Sequence, residues 1–260
     1  MPFPKLIVIL GPTATGKTKL AVALARKFNG EIVSADSRQV YRGMDIGTGK
    51  DLAEYGKGKN KIPYHLINIV KPVTQFNAGK FKKRAAGSIN KILSRNKIPF
   101  LVGGTGLYIS ALIDNYQFPN LSSKQAKGKA KYQTLQIGLT YPKKILNKKI
   151  EQRVDKMIEN GMINETKKLV KKYPPLRRAG GQYAAPLQTI GYREIINYLN
   201  NVETRDLASL QQSVDLIKLH TRQFAKRQMT WFKGHGGRDK HIHWIKNQKE
   251  AEKLIKKFLG

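Results

Sequence analysis

Short, fully apolar runs alternate with amphipathic stretches along the first half of the chain. Residues 6–10 (LIVIL) are apolar at every position, the pattern of a strand covered on both faces. Residues 19–28 (KLAVALARKF) carry helix formers with apolar residues at helical spacing, and Asn29-Gly30 stops them. A second short strand is predicted at 31–35 (EIVSA), a basic amphipathic helix at 81–96, and a third buried strand at 98–102 (IPFLV) ending at Gly103-Gly104. That alternation predicts an α/β fold, a mostly parallel sheet with helices on both faces.

The second half has another texture. Residues 117–134 (QFPNLSSKQAKGKAKYQT) are polar, Lys-rich and aperiodic, a loop or a poor helix, and 135–139 (LQIGL) is the last expected strand. Beyond it the pattern is helical at 142–160, 162–172, 191–200, 206–233 and 248–259, broken by Pro174-Pro175 and Gly180-Gly181. Three regions are therefore expected: an α/β core at 1–116, a short connector at 117–134, and at 135–260 a last core strand followed by a helical part. Met157, Ile158 and Met162 are expected in the core.

Charge changes the picture. The 260 residues include 49 Lys+Arg against 17 Asp+Glu, a net charge of +32, while 40% are hydrophobic, so the charge sits on a folded chain. Such an excess costs self-repulsion and points to a polyanion, nucleic acid before an anionic membrane surface. No cysteine is present, which excludes disulfides, thiolate catalysis and cysteine-held metals; five scattered His argue against a His-rich metal centre. The run at 6–10 is too short for a membrane span or a signal segment. A cytoplasmic protein is expected.

Gly11-Pro12-Thr13-Ala14-Thr15-Gly16-Lys17-Thr18 matches G-x-x-x-x-G-K-[ST], directly after a predicted strand and directly before a predicted helix. Glycines let backbone N–H groups turn inward around phosphate oxygens, and the helix N-terminus adds partial positive charge. Lys17 would reach the terminal phosphate and the Thr18 hydroxyl would ligate Mg²⁺. The motif makes the expected core P-loop NTPase-like and says that a di- or triphosphate binds, without saying which. A kinase would want a carboxylate at the end of another strand, but 98–102 runs into Gly103-Gly104-Thr105-Gly106-Leu107-Tyr108. The acid that does follow a strand is Asp36. It either faces the crevice beyond the strand ends or caps the next turn.

Three strings carry a resemblance. Residues 11–18, then 34–48 (SADSRQVYRGMDIGT), then 103–108 (GGTGLY) are similar to tRNA dimethylallyltransferases. The C-terminal half agrees at 153–158 (RVDKMI), 190–194 (IGYRE) and 221–232 (TRQFAKRQMTWF). The resemblance implies transfer of a dimethylallyl group from dimethylallyl diphosphate to N6 of the adenosine next to the anticodon. It implies that the P-loop holds the diphosphate, with Thr13, Lys17, Thr18 and Mg²⁺ neutralising the leaving group and Arg153 adding a clamp. Asp36 matches the general base. Ser37, Arg38 and Gln39 would line the channel around a flipped adenine, and Thr105, Gln188, Thr189, Ile190, Gly191, Tyr192 and Arg193 match tRNA-contacting segments. So do Lys226, Arg227, Gln228, Met229, Thr230, Trp231, Phe232 and Lys233, although Trp231 suits core packing better.

Members of that family carry a helical insertion that embraces the anticodon stem, and here only residues 117–134 fill the interval. Lysines 124, 127, 129 and 131 are its candidate phosphate contacts. Rival readings are an isopentenyltransferase acting on free adenine nucleotides, a small-molecule kinase and a non-catalytic RNA-binding relative. A monomer that binds the tRNA anticodon stem-loop and no membrane is expected.

Overall fold

The computed structural model describes residues 3–118, 126–175, 181–201, 206–234 and 241–260. At its centre β1 (Lys5–Leu10) lies between β4 (Ile98–Gly103) and β7 (Gln133–Leu139). Outside β4 come β2 (Gly30–Ser34) and the two-residue β3 (Tyr64–His65); outside β7 comes β8 (Ile242–Ile245). All five neighbouring pairs are parallel, with Ile7 beside both Phe100 and Leu135. The uniformly apolar β1 is explained by its place: Leu6, Val8 and Leu10 enter one core cluster and Ile7 and Ile9 the other.

Helices cover both faces. On one side α2 (Ala78–Leu93) and α3 (Gly106–Ile113) bury Phe81, Ala85, Ile89, Tyr108 and Leu112. On the other, α1 (Lys17–Lys27) and α8 (Gln248–Leu259) bury Leu20, Leu24, Ala251 and Ile255. Burying each Leu or Ile side chain contributes ~1.5–3 kcal/mol. α2 begins three residues before the predicted start because Asn77 caps it, its side chain accepting from the Lys80 N–H at 3.0 Å.

Between β7 and β8 the chain builds α4 (Lys143–Glu159), α5 (Met162–Lys172), α6 (Tyr192–Asn200) and the 28-residue α7 (Leu207–Gly234). The sharp turn from α4 to α5 uses Gly161 at φ +92°. Met162 is fully buried with Val154, Ile195, Val214 and Ile217, and half-buried Met157 and Ile158 pack against this cluster. The α/β class and the helix-rich second half stand as predicted.

Two expectations need correction. The strand at 135–139 is not the last, because β8 adds a parallel edge and α8 returns to the sheet. Four residues between His and Lys give no periodic signal; what places them is Trp244 lying over Gly138, where a Cβ would come within 2.5 Å of the indole. The connector is not simply a loop or a poor helix either, since β5 (Tyr116–Gln117) and β6 (Ala126–Lys127) form an antiparallel ribbon. Lys124 lies outside the described residues, and of Lys127 only the backbone is described. Among the described residues no helix is long and apolar enough to cross a membrane.

Candidate active site

A cleft of about 650 Å³ opens beyond the carboxyl ends of β1, β2 and β4, where parallel sheets place their ligands. The residues 11–18 form its floor. Gly11, at φ +143°, passes so close to β7 that a Cβ would sit 2.2 Å from the Leu139 carbonyl. Gly16, at φ +79°, turns the loop into α1, and the Thr15 hydroxyl donates to the Pro12 carbonyl at 2.9 Å. Gly11, Pro12 and Thr15 are buried and shape the loop, while Thr13, Ala14, Gly16, Lys17 and Thr18 line the cleft. Lys17 Nζ donates to the Pro12 carbonyl at 2.7 Å. Burial, and then the nearby Arg153 charge, push its pKa down to about 7 against the opposing pull of Asp36.

Asp36 does both things the sequence left open. Its Oδ1 accepts from the N–H groups of Arg38 (2.8 Å) and Gln39 (3.3 Å), an Asx turn, and its side chain still lines the cleft. The neighbouring strand end is brought close by Gly103, whose Cβ would lie 2.2 Å from the Ala35 carbonyl. Thr105 then meets Ser37: its hydroxyl accepts the Ser37 N–H at 3.0 Å and donates to the Ser37 hydroxyl at 3.3 Å. Arg38 lies over the Phe224 ring at 4.8 Å, its pKa lowered by burial and partly restored by Asp36.

Arg153 reaches in from α4. Nη1 donates to Thr13 Oγ1 at 3.2 Å and Nη2 to the Gly49 carbonyl at 3.4 Å, so it bridges the phosphate loop and the segment after Asp36. Its pKa is lowered by burial, against the pull of Asp36, Glu54 and Asp51. Gly49, at φ +62°, leaves room for it; a Cβ there would stand 1.7 Å from Nη2. Gln39 Nε2 also points to the Gly49 carbonyl, at 3.5 Å, and its Oε1 accepts from Ser34 Oγ at 3.3 Å.

Sequence reasoning missed the residues that hold this segment. Glu165 on α5 accepts from the N–H groups of Asp45 (3.0 Å), Ile46 (2.8 Å) and Gly47 (3.1 Å) and from the Tyr192 hydroxyl (2.7 Å). Lys50, its side chain fully buried, donates to the Tyr41 carbonyl, to Asp45 Oδ1 (2.8 Å) and to Asn68 Oδ1 (2.7 Å). Burial lowers its pKa, against the pull of Asp45. Lys149, Gln152 and Lys156 of α4 also line the cleft; their spacing on one helix face is a signal that the sequence did contain.

The segments expected to meet tRNA divide by burial. Ile190 and Gly191 line the cleft, and Gln188, Arg193, Lys226, Arg227, Thr230 and Lys233 are exposed. Thr189 and Met229 are half-buried. Tyr192 and Phe232 are corrections: each is less than a tenth exposed and packs in the protein interior, so they support the surface instead of forming it, while Gln228, also less than a tenth exposed, lines the cleft. Tyr192 packs with Val40, Met44 and Leu187, and Phe232 joins the α2–α3 core. Trp231 is half-buried against Gly106, where a Cβ would stand 2.1 Å from the indole ring. Among the described residues no group of three His, Cys, Asp or Glu could hold a metal ion.

The family model described as IPP transferase matches residues 39–127 and 120–235, its two pieces meeting in the connector. A tRNA dimethylallyltransferase of Carboxydothermus hydrogenoformans is 36% identical over 318 aligned positions, covering 98% of this chain and 96% of the relative. Since the alignment is longer than the chain, the relative carries residues that this one lacks. The crystal structure of the full-length tRNA isopentenylpyrophosphate transferase of Bacillus halodurans superposes with a TM-score of 0.81 at 32% identity, covering 98% of this chain and 95% of that one. That of tRNA delta(2)-isopentenylpyrophosphate transferase from Staphylococcus epidermidis gives 0.79 at 31%, covering 98% and 99%. With the phosphate loop, Asp36 and Arg153 meeting in one cleft and these matches spanning nearly the whole chain, the protein belongs to the tRNA dimethylallyltransferase (IPP transferase) family.

Proposed function

We propose that this chain transfers a dimethylallyl group from dimethylallyl diphosphate to N6 of the adenosine next to the anticodon of tRNA. The observation that carries the reading is the convergence of Asp36, Arg153 and the phosphate loop on one cleft. N6 attacks the allylic carbon and the C–O bond to the diphosphate breaks. The diphosphate leaves with the electron pair, and the N6 proton passes to Asp36. Oδ1 is engaged by two amides of its own turn, so Oδ2 is the oxygen assigned to that proton. Such proton removal is typically worth ~10²–10⁴ in rate.

Loop amides, Lys17 and Arg153 stabilise charge growing on the leaving diphosphate. Lys17, about half protonated at pH 7 given its lowered pKa of about 7, becomes fully charged beside that anion. Magnesium fits the donor set as an ion held by the Thr18 hydroxyl, diphosphate oxygens and water, since Mg²⁺ takes few protein ligands. When bound it supplies further charge neutralisation.

The adenine enters past Ser37, Arg38 and Gln39, with Thr105 steadying Ser37. Unstacking it from a single-stranded loop costs little. Gln188, Thr189 and Arg193, with Lys226, Arg227, Met229, Thr230 and Lys233 of α7, are the proposed tRNA contacts around the cleft mouth. A cytoplasmic monomer is proposed as the working unit.

The test is incubation with bulk tRNA and labelled dimethylallyl diphosphate, with AMP in parallel. Label in tRNA and none in AMP is expected. Label in AMP alone would make the chain a free-nucleotide isopentenyltransferase.

A further inference from the structure

Gln228 is a buried amide in the last two turns of α7, and both its ends are engaged by backbone groups of other elements. Oε1 accepts from the Thr13 N–H at 2.9 Å, and Nε2 donates to the Gly104 carbonyl at 2.8 Å. Only 7% of the residue is exposed, and it lines the cleft together with Thr13 and Gly104. The close fit is mutual, for a Cβ on Gly104 would stand 2.3 Å from Nε2. A side chain that must both donate and accept, in a space cleared by a glycine, is a fixed link and not packing.

The two loops it joins continue to the reacting groups. Thr13 receives Arg153 through its hydroxyl. Gly104 precedes Thr105, which holds the Ser37 N–H beside Asp36. We propose that Gln228 is a positioning residue that sets the separation between the diphosphate loop and the general base Asp36. This rests on the proposed prenyl transfer. That reaction needs N6 in line with the allylic carbon at about 3–3.5 Å, while Asp36 stays within hydrogen-bond reach of N6. The donor is anchored by the loop after β1 and the base by the loop after β2, and Gln228 is the side chain that ties the first to the β4 loop touching the second. A misplacement of about 1 Å costs ~10²-fold in rate.

The experiment compares Gln228→Glu, Gln228→Met and Gly104→Ala with the parent chain. The glutamate keeps size and acceptor but turns a carboxylate toward the Gly104 carbonyl; the methionine removes both bonds; the alanine pushes Nε2 away from the opposite side. Single-turnover transfer at saturating donor and tRNA should fall by about 10–10²-fold in all three, while the tRNA Kd stays within about twofold because α7's exposed face is intact. A variant that merely loosened the fold would lower Tm without this split. Amide resonances of Thr13 and Ser37 should both move in Gln228→Met, although the two lie on separate loops. That readout needs no catalysis, so it distinguishes failure of the link from failure of the prenyl-transfer reading. Unchanged single-turnover rates in all three variants, or unmoved Ser37 and Thr13 amides, would overturn the proposal. So would a large loss of tRNA affinity at normal rate, since Gln228 would then be serving the RNA surface. Should Gln228→Met not fold, Gly104→Ala and Gln228→Glu carry the same comparison.

Discussion

The cleft and the outer face of α2 use positive charge in opposite ways. Inside the cleft three cations have an address: Lys17 on the Pro12 carbonyl, Arg153 on Thr13 and Gly49, and Arg38 over Phe224. On α2, Lys80, Lys83, Arg84 and Lys91 are exposed, Lys80 reaching only the Gln75 carbonyl and Arg84 only the Phe76 ring, and residues 55–113 contain no Asp or Glu at all. Lys82 anchors that helix to the ribbon by donating to the Tyr116 carbonyl at 2.7 Å, and its pKa is lowered by burial and by Lys131. A buried charge without a partner costs several kcal/mol, so ~1 Å matters in the cleft. Exposed lysines act as a sum, through released counterions, and no single one decides. On the proposed function, the first region would carry the chemistry and the second would supply attraction.

The largest effect should come from Asp36→Asn. Asparagine keeps the Oδ1 acceptor that holds the Arg38 and Gln39 amides, so the turn survives and only proton acceptance is lost. Single-turnover transfer should drop by ~10²-fold or more with donor and tRNA affinity retained. Near-normal turnover would put the base elsewhere.

Gly49→Ala should come next. The added methyl occupies the place of Arg153 Nη2 at a left-handed backbone position, so the clamp must move. Losing a charge-assisted bond of ~1.5–3 kcal/mol should weaken binding of inorganic diphosphate by about 10-fold or more. Calorimetry measures this directly, and unchanged affinity would remove Arg153 from the donor site.

Charge reversal on the outer face breaks the comparison from the other side. Lys80→Glu, Lys83→Glu and Arg84→Glu together should lower affinity for whole tRNA by about tenfold at low salt and reduce the log–log salt slope by several units. The transfer rate at saturation should not change, since none of these side chains lines the cleft. A flat salt response in the parent chain would mean that RNA is held by something other than this charge.

The smallest effect is a proton. With Lys17 lowered to about 7 in the free protein and returned upward by a bound anion, diphosphate binding takes up a proton above that pH. Affinity should therefore fall about fivefold between pH 7 and pH 8, beyond any titration of the ligand itself. Heats measured in buffers of different ionisation enthalpy report the uptake. The sign for folding is opposite to that of a lysine paired with an acid: between pH 7 and 10.5 the unfolded chain binds more protons at this residue, so its contribution to stability rises with pH. No proton uptake at pH 8 would mean that Lys17 is already charged in the free loop.

The strands and helices of the core were legible because their signals are local. A run such as LIVIL has no solvent face to keep polar, and the phosphate loop needs its glycines at fixed spacing whatever surrounds it. Asp36 was legible too, as one of few acids and placed two residues beyond a strand. What stayed hidden depends on distant pairs. Glu165 holds amides about 119 residues away, and Gln228 binds an amide 215 residues away, so neither has a local pattern to betray it. In the sequence Gln228 stands with Lys226 and Arg227 in a segment expected to contact tRNA, and only its burial separates it from them.

By itself, then, the amino-acid order determined the parallel α/β core, the anion-binding loop, the acid beside it and the excess of positive charge. These follow from periodicity, backbone permissiveness and composition, which act over a few residues. The tertiary structure alone decided that β8 forms an edge of the sheet, that Gly49 makes room for Arg153, that Tyr192 and Phe232 face inward, and that Gln228 joins two loops at the cleft. Those outcomes depend on which surfaces meet when separate helices pack, and close packing admits one partner where the sequence would allow many.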